Sequence, residues 1–153
     1  MGRDAVGVRG IRLKEEDYLV AGGVPSQGDR LLPITEHGFG KRTAIEEYTC
    51  QSRGGYGNKN YNITEKTGPV ASAAIVEECD DALMISDDGT IIRTAVSGIN
   101  LYGRVTQGVN IMTVPEGVKV ISLATTRENE EEEPPAAETP GPETDSTEES
   151  TTV

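Results

Sequence analysis

The stretch Gly38-Phe39-Gly40-Lys41-Arg42-Thr43-Ala44, followed by Gln51-Ser52-Arg53-Gly54-Gly55-Tyr56-Gly57, decides the reading of this chain, because much of it occurs twice. Gly38, the triplet Arg42-Thr43-Ala44, Arg53 and Gly57 recur as Gly89, Arg93-Thr94-Ala95, Arg104 and Gly108, each pair 51 residues apart. Ile34 and Ile85 keep the same offset. Fifty residues before Arg53 and Gly57 stand Arg3 and Gly7, and Val20, Val70 and Ile121 align within a residue. A period near 50 with about four strands per unit is the mark of propeller-like architecture. Two units are complete, and residues 1–13 read as the end of a third.

Outward from that stretch the signals are those of β-structure. Short Val/Ile/Leu/Thr runs alternate with Gly, Asp and Asn, which is the pattern of strands and turns. Expected strands cover 19–24, 31–35, 41–45, 61–63, 70–76, 82–86, 91–95, 109–113 and 119–124. Turns are expected at Gly22-Gly23, Glu36-His37-Gly38, Gly54-Gly55 and Asp87-Asp88-Gly89; the last lies between two apolar runs and signals a hairpin. No segment keeps a helical period. The fold expected is all-β: about two complete four-stranded blades, part of a third, and a tail. Propellers close so that no strand edge stays open. Two and a fraction blades do not close, so the chain is read as the C-terminal piece of a longer protein, with Met1 an internal residue.

The 153 residues carry 14 basic and 26 acidic groups, a net charge of −12. The charge is uneven. Residues 128–153 hold ten acids and no Lys or Arg, so residues 1–127 are close to neutral, with 14 basic and 16 acidic groups. The acidic segment includes Glu130-Glu131-Glu132-Glu133 and Pro134-Pro135 and has too few aliphatics to offset chain entropy; it is expected to be disordered. Two domains follow: a folded body over 1–127 and a polyanionic tail over 128–153, able to compete for a basic surface. A near-neutral body with clustered arginines does not exclude nucleic acid. With 4 % aromatic residues and no Trp, the core must come from Val, Ile, Leu and Ala. No apolar run reaches membrane-spanning length. The N-terminus lacks the apolar core of a signal peptide, and Val6 stands where a myristoylation motif wants Ser or Thr. Cys50 and Cys79 make no disulfide framework and are expected as buried thiols in a reducing, cytosolic setting.

The residue types that carry catalysis are not assembled. His37 is the single histidine and falls in a turn, without the partners of a metal site or a nucleophilic triad. Asp80-Asp81 and Asp87-Asp88-Gly89 lack the spacing of a calcium loop and read as turns. No G-x-x-x-x-G-K-[ST] loop is present, so ATP binding is not expected. What remains is cationic. Lys41 and Arg42 follow a tight turn, and Arg53 lies on a Gly-rich loop. Such loops let a phosphate backbone approach closely and expose backbone N–H groups, and arginine offers a planar fork to phosphate oxygens.

Met1-Gly2-Arg3, Gly7-Val8-Arg9-Gly10-Ile11-Arg12-Leu13, the 38–48 stretch and Gly103-Arg104-Val105-Thr106-Gln107-Gly108-Val109 together resemble the C-terminal domain of bacterial DNA gyrase A. The resemblance runs in order through roughly residues 1–127, and the acidic tail fits it. It implies a six-bladed β-pinwheel that wraps duplex DNA on its basic perimeter, within an ATP-dependent type II topoisomerase that introduces negative supercoils. It implies gyrase B and a second gyrase A as partners in a heterotetramer, and a bacterial cytoplasmic, nucleoid-associated location. No membrane partner and no cofactor in this fragment are implied, ATP and Mg²⁺ being used elsewhere in the holoenzyme. The family's box, Gln-Arg-Arg-Gly-Gly-Lys-Gly, resembles Gln51-Ser52-Arg53-Gly54-Gly55-Tyr56-Gly57, with Ser52 for an Arg and Tyr56 for the Lys. It reads as a degenerate copy in the fifth blade. The family's strand-cutting Tyr follows an Arg, whereas the five tyrosines here follow Asp17, Glu47, Gly55, Asn60 and Leu101, so no catalytic residue is expected. The expected phosphate contacts are Lys41, Arg42, Arg53, Lys59, Arg93 and Arg104, then Arg3, Arg9 and Arg12. The related C-terminal domain of topoisomerase IV is the near alternative. A propeller-type protein-interaction module without a DNA role is the alternative of another class.

Overall fold

The computed structural model describes residues 2–127. The described residues form eight strands: β1 (Arg30–Thr35), β2 (Phe39–Gly40), β3 (Thr43–Ala44), β4 (Val70–Val76), β5 (Asp80–Ser86), β6 (Ile91–Ala95), β7 (Val109–Asn110) and β8 (Val120–Arg127). Three single 3-10 turns, Pro25–Gln27, Ile45–Glu47 and Val96–Gly98, complete it. Among the described residues these strands pair antiparallel. The cause is visible in β5, where buried and half-buried residues alternate along the strand, the period-2 pattern of a pleated surface over a core. Tight turns join β1 to β2 and β5 to β6. Gly38 and Gly89 sit in them at φ 79° and 86°, and each N–H donates to the carbonyl three residues back at 3.0 Å.

The sequence repeat is also a repeat of register. Arg30 faces Ala44 and Leu31 faces Thr43; 51 residues on, Asp81 faces Ala95 and Ala82 faces Thr94. The irregularity between Ile34 and Thr35 on the β1–β4 side returns between Ile85 and Ser86 on the β5–β8 side. In each unit a central strand (β1 or β5) is flanked by its return strand and by a third strand (β4 or β8). In the first unit the return strand is broken into β2 and β3 at Lys41 and Arg42; in the second it is the continuous β6. The first unit takes its fourth strand from the second: β7 pairs with β2, Phe39 facing Asn110 and Gly40 facing Val109. The second sheet has three strands among the described residues, so the expected four-stranded blade is completed only by strand exchange.

Two core clusters each join the two units. Leu32 and Val76 cluster with Ala82, Val96 and Ile99, and Ile34 clusters with Met84, Met112 and Val120. Mid-sized aliphatics and methionine fill it. Two expected strands are corrected: 19–24 and 61–63 form none. Residues 109–113 shorten to β7. Cys50 and Cys79 are exposed, contrary to the expectation of buried thiols, because they fall in loop and turn positions outside both clusters. The expectation for 128–153 lies outside the described residues. Among the described residues no helix is long and apolar enough to cross a membrane.

Candidate nucleic-acid interface

The loop over 51–57 is built on residues 10–12. Gly54 N–H donates to the Gly10 carbonyl at 2.8 Å, and Arg12 N–H donates to the Gly55 carbonyl at 2.8 Å. Gln51 Nε2 donates to Asn58 Oδ1 at 3.1 Å, and Asn58 Nδ2 donates to the Thr49 carbonyl at 2.9 Å, so the loop base is closed by amides. The Arg12 guanidinium lies 5.4 Å from the centre of the Tyr56 ring, a cation–π contact. Arg53 projects from this frame, exposed.

The second copy has the same frame. Asn62 N–H donates to the Thr106 carbonyl at 3.1 Å, the equivalent of the Arg12–Gly55 bond. Gly57 and Gly108 adopt φ 75° and 68°. Thus Arg53 and Arg104 occupy equivalent positions in fold as well as in sequence. Their surroundings differ. Arg104 is half-buried, its N–H donates to Glu47 Oε2 at 2.9 Å, and its guanidinium lies 6.0 Å over Tyr48. The Tyr61 hydroxyl donates to the Gln107 carbonyl at 2.5 Å, and burial pushes its pKa up to about 12.

Lys41 and Arg42 are corrected. Lys41 is fully buried; its ammonium donates to the carbonyls of Asn60 (2.8 Å), Gly103 (3.0 Å) and Arg104, and lies 5.1 Å from the Tyr61 ring centre. Burial lowers its pKa to about 8, against the opposing pull of Glu47. Arg42 is 7 % exposed. Its Nε donates to the Ile99 carbonyl and Nη2 to the Ser97 carbonyl at 3.3 Å, while Nη1 faces Glu78 at 3.7 Å. Neither head reaches a surface where a phosphate could lie. Both fasten the second unit onto the break between β2 and β3. A carbonyl cage around a cation offsets the cost of removing it from water.

The remaining cations are placed by backbone contacts of their neighbours. Arg9 and Arg12 flank the Gly10 carbonyl that holds Gly54, next to Arg53. Lys59 precedes Asn60, whose carbonyl shares the Lys41 ammonium with Arg104. Arg3, Arg9, Arg12, Arg53 and Lys59 are exposed, and none has an acidic partner among the described residues. Arg93 is exposed but donates from Nε to Asp81 at 2.7 Å. Sequence reasoning missed Lys14 and Lys66, both exposed, and the aromatic faces under the cations; Lys66 lies 5.4 Å over Phe39. Tyr56, one of the two departures within the box, supplies such a face. These residues offer charge, planar donors and aromatic surface, without a group of three or more metal-ligating side chains among the described residues.

A family model described as the DNA gyrase C-terminal domain, beta-propeller, matches residues 1–26, 29–77 and 80–127. Its breaks are themselves 51 residues apart and coincide with the unit boundaries. DNA gyrase A of Salmonella typhimurium strain LT2 is 43 % identical over 123 residues, 80 % of this chain and 14 % of that protein. The Escherichia coli K12 protein of the same name is 43 % identical over 133 residues, 87 % of this chain and 15 % of its own length. The chain therefore spans about a seventh of these relatives. Among solved structures, the DNA gyrase A C-terminal domain superposes with TM-score 0.62 at 25 % identity, covering 64 % of this chain and 33 % of that one. The C-terminal domain of DNA topoisomerase IV superposes with TM-score 0.72 at 22 % identity, covering 79 % and 38 %, a likeness of fold alone.

Proposed function

Since the chain belongs to the DNA gyrase C-terminal domain family, we propose that it binds and bends duplex DNA without reading sequence, as the C-terminal part of a gyrase A protein. In this reading it supports ATP-dependent negative supercoiling in the bacterial cytoplasm, together with gyrase B and a second gyrase A. The observation that carries the proposal is that Arg9, Arg12, Arg53 and Lys59 are exposed and without acidic partners among the described residues, the segment of Arg9 and Arg12 being joined by backbone bonds to the loop that carries Arg53. Unpaired arginines on glycine loops suit phosphates, and phosphate contacts position a duplex without specifying bases. Arg93 would first have to leave Asp81, so its contribution is smaller.

The test is duplex titration over a range of salt. Each neutralised phosphate contributes about −0.9 to the log–log slope. Replacing Arg12, Arg53 and Lys59 together by Ala flattens that slope by about three contacts' worth and leaves any sequence preference unchanged. An unchanged slope assigns these residues a structural role. A wild-type chain with no salt-dependent duplex binding points instead to a protein-interaction module.

A further inference from the structure

One residue of the second unit is gripped at each of its polar parts by side chains of the first. The carbonyls of Gly103 and Arg104 accept from the Lys41 ammonium, at 3.0 Å for Gly103. The Arg104 N–H donates to Glu47 Oε2 at 2.9 Å. The Arg104 guanidinium lies 6.0 Å from the centre of the Tyr48 ring, a cation–π contact. Tyr48 is itself pinned, its hydroxyl donating to Asn60 Oδ1, and the Asn60 carbonyl accepts from the same Lys41 ammonium at 2.8 Å. Lys41, Glu47 and Tyr48 thus hold the carbonyl, the N–H and the charged head of a single arginine.

The repeat unit does not need this set for its own fold. Fifty-one residues on, Ile92, Gly98 and Ile99 stand where the first unit has Lys41, Glu47 and Tyr48. Ile92 still lies in β6, and Val96–Gly98 makes the same 3-10 turn as Ile45–Glu47. Glu47 is exposed, so packing does not explain it either. The charges of the clamp offset one another, because the Glu47 carboxylate lies close enough to oppose the fall in the Lys41 pKa. What is left over is the guanidinium. Arg104 is half-buried and forms no ion pair among the described residues. A tether on the backbone alone would serve folding. A tether that also steers the head, and leaves its charge unmatched, serves a ligand of opposite charge.

We propose that Glu47, with Lys41 and Tyr48, positions Arg104 to receive one phosphate of the duplex backbone; the inference rests on the duplex-binding reading above. Fixing an arginine before contact removes part of the ordering cost of binding. Glu47 decides the matter because its two conceivable influences have opposite signs. As a bare negative charge beside a polyanion it weakens binding, so its removal tightens the complex. As a positioning residue it strengthens binding, so its removal loosens the complex.

The full 153-residue chain is titrated with a labelled linear duplex between about 0.05 and 0.2 M salt. Glu47→Ala weakens binding about threefold to tenfold, the effect of one ordered side chain. It also flattens the log–log slope by about 0.9, one phosphate. Glu47→Gln keeps an acceptor oxygen for the same N–H and restores both. Arg104→Ala gives the same loss as Glu47→Ala, and the double variant loses no more than either alone, as expected of residues that act as a unit. Tyr48→Leu repeats the loss and Tyr48→Phe, with the ring kept, recovers it; this pair decides the question if a thermal melt shows Glu47→Ala unfolded. Tighter binding by both Glu47→Ala and Glu47→Gln makes Glu47 a competitor of phosphate and overturns the proposal. Unchanged affinity with a lowered melting temperature makes it a structural tie and overturns the proposal too. Both of these outcomes leave the duplex reading intact, whereas a wild type without salt-dependent affinity overturns that reading and this inference together.

Discussion

Arg42 and Arg93 are the same residue of the repeat, and they have opposite surroundings. Arg42 is 7 % exposed and holds carbonyls of residues 97 and 99; Arg93 is exposed and pairs with Asp81. The contrast extends to Gly38 and Gly89, one pressed on a carbonyl and the other in open space, and to Lys41 and Ile92, one a fully buried cation and the other a half-buried aliphatic. Local sequence and register are shared, so neither explains the difference. The neighbour does: the second unit covers the first at Lys41 and Arg42, and nothing among the described residues covers the second in turn. In repeat arrays each unit's environment is set by its nearest-neighbour interface. A buried cation here reports that interface, whereas the exposed cations lie outside it.

Gly38→Ala against Gly89→Ala is the sharpest way to break this comparison. Both impose a Cβ at positive φ, worth about 1 kcal/mol. Only the first also displaces the Met112 carbonyl. Urea unfolding of Gly38→Ala shows a loss of about 4 kcal/mol or more, and Gly89→Ala about 1 kcal/mol. Equal losses refute the neighbour as cause. Giving the first unit the second unit's residue, Lys41→Ile, strips three carbonyls of their donor and costs about 3 kcal/mol. The reverse exchange, Ile92→Lys, costs about 1 kcal/mol because that position stays in partial contact with water.

The smallest effect is in pH. Lys41 is lowered to about 8, so between pH 8 and 10 the unfolded chain holds more protons at this site than the folded one. Stability from this group therefore rises with pH across that window. Above pH 10 Tyr61, raised to about 12, works in the opposite direction. Unfolding at pH 8 and 10 shows the gain in wild type and none in Lys41→Ile; a wild-type loss relative to the variant contradicts it.

Much of the fold was legible because it is local. The alternation in 82–86, the turn at 87–89 and the shared offset of Arg53 and Arg104 all survive in the structure. What failed depended on partners remote in sequence. Residues 19–24 have strand composition, but a strand exists only as part of a pair, and no described segment pairs with them. Tyr61 anchors by its ring and hydroxyl rather than through a ladder. Lys41 and Arg42 looked like surface cations because the residues that bury them lie 19 to 63 positions away. The repeat itself held the clue: the first unit has Lys41 where the second has Ile92, a difference a purely exposed position would not need.

The exchange of β7 also sets an order of events during synthesis. The edge of β2 receives its partner only when Val109 and Asn110 have been made, some seventy residues after Gly40. At about 5–20 residues per second, that edge waits roughly 4–14 s as the chain emerges. Open strand edges are templates for wrong pairing, and β2 is only two residues long, which limits what such a template can capture. Slower translation between residues 44 and 109 lengthens the wait and raises the aggregated fraction, although every contact of the finished molecule stays the same.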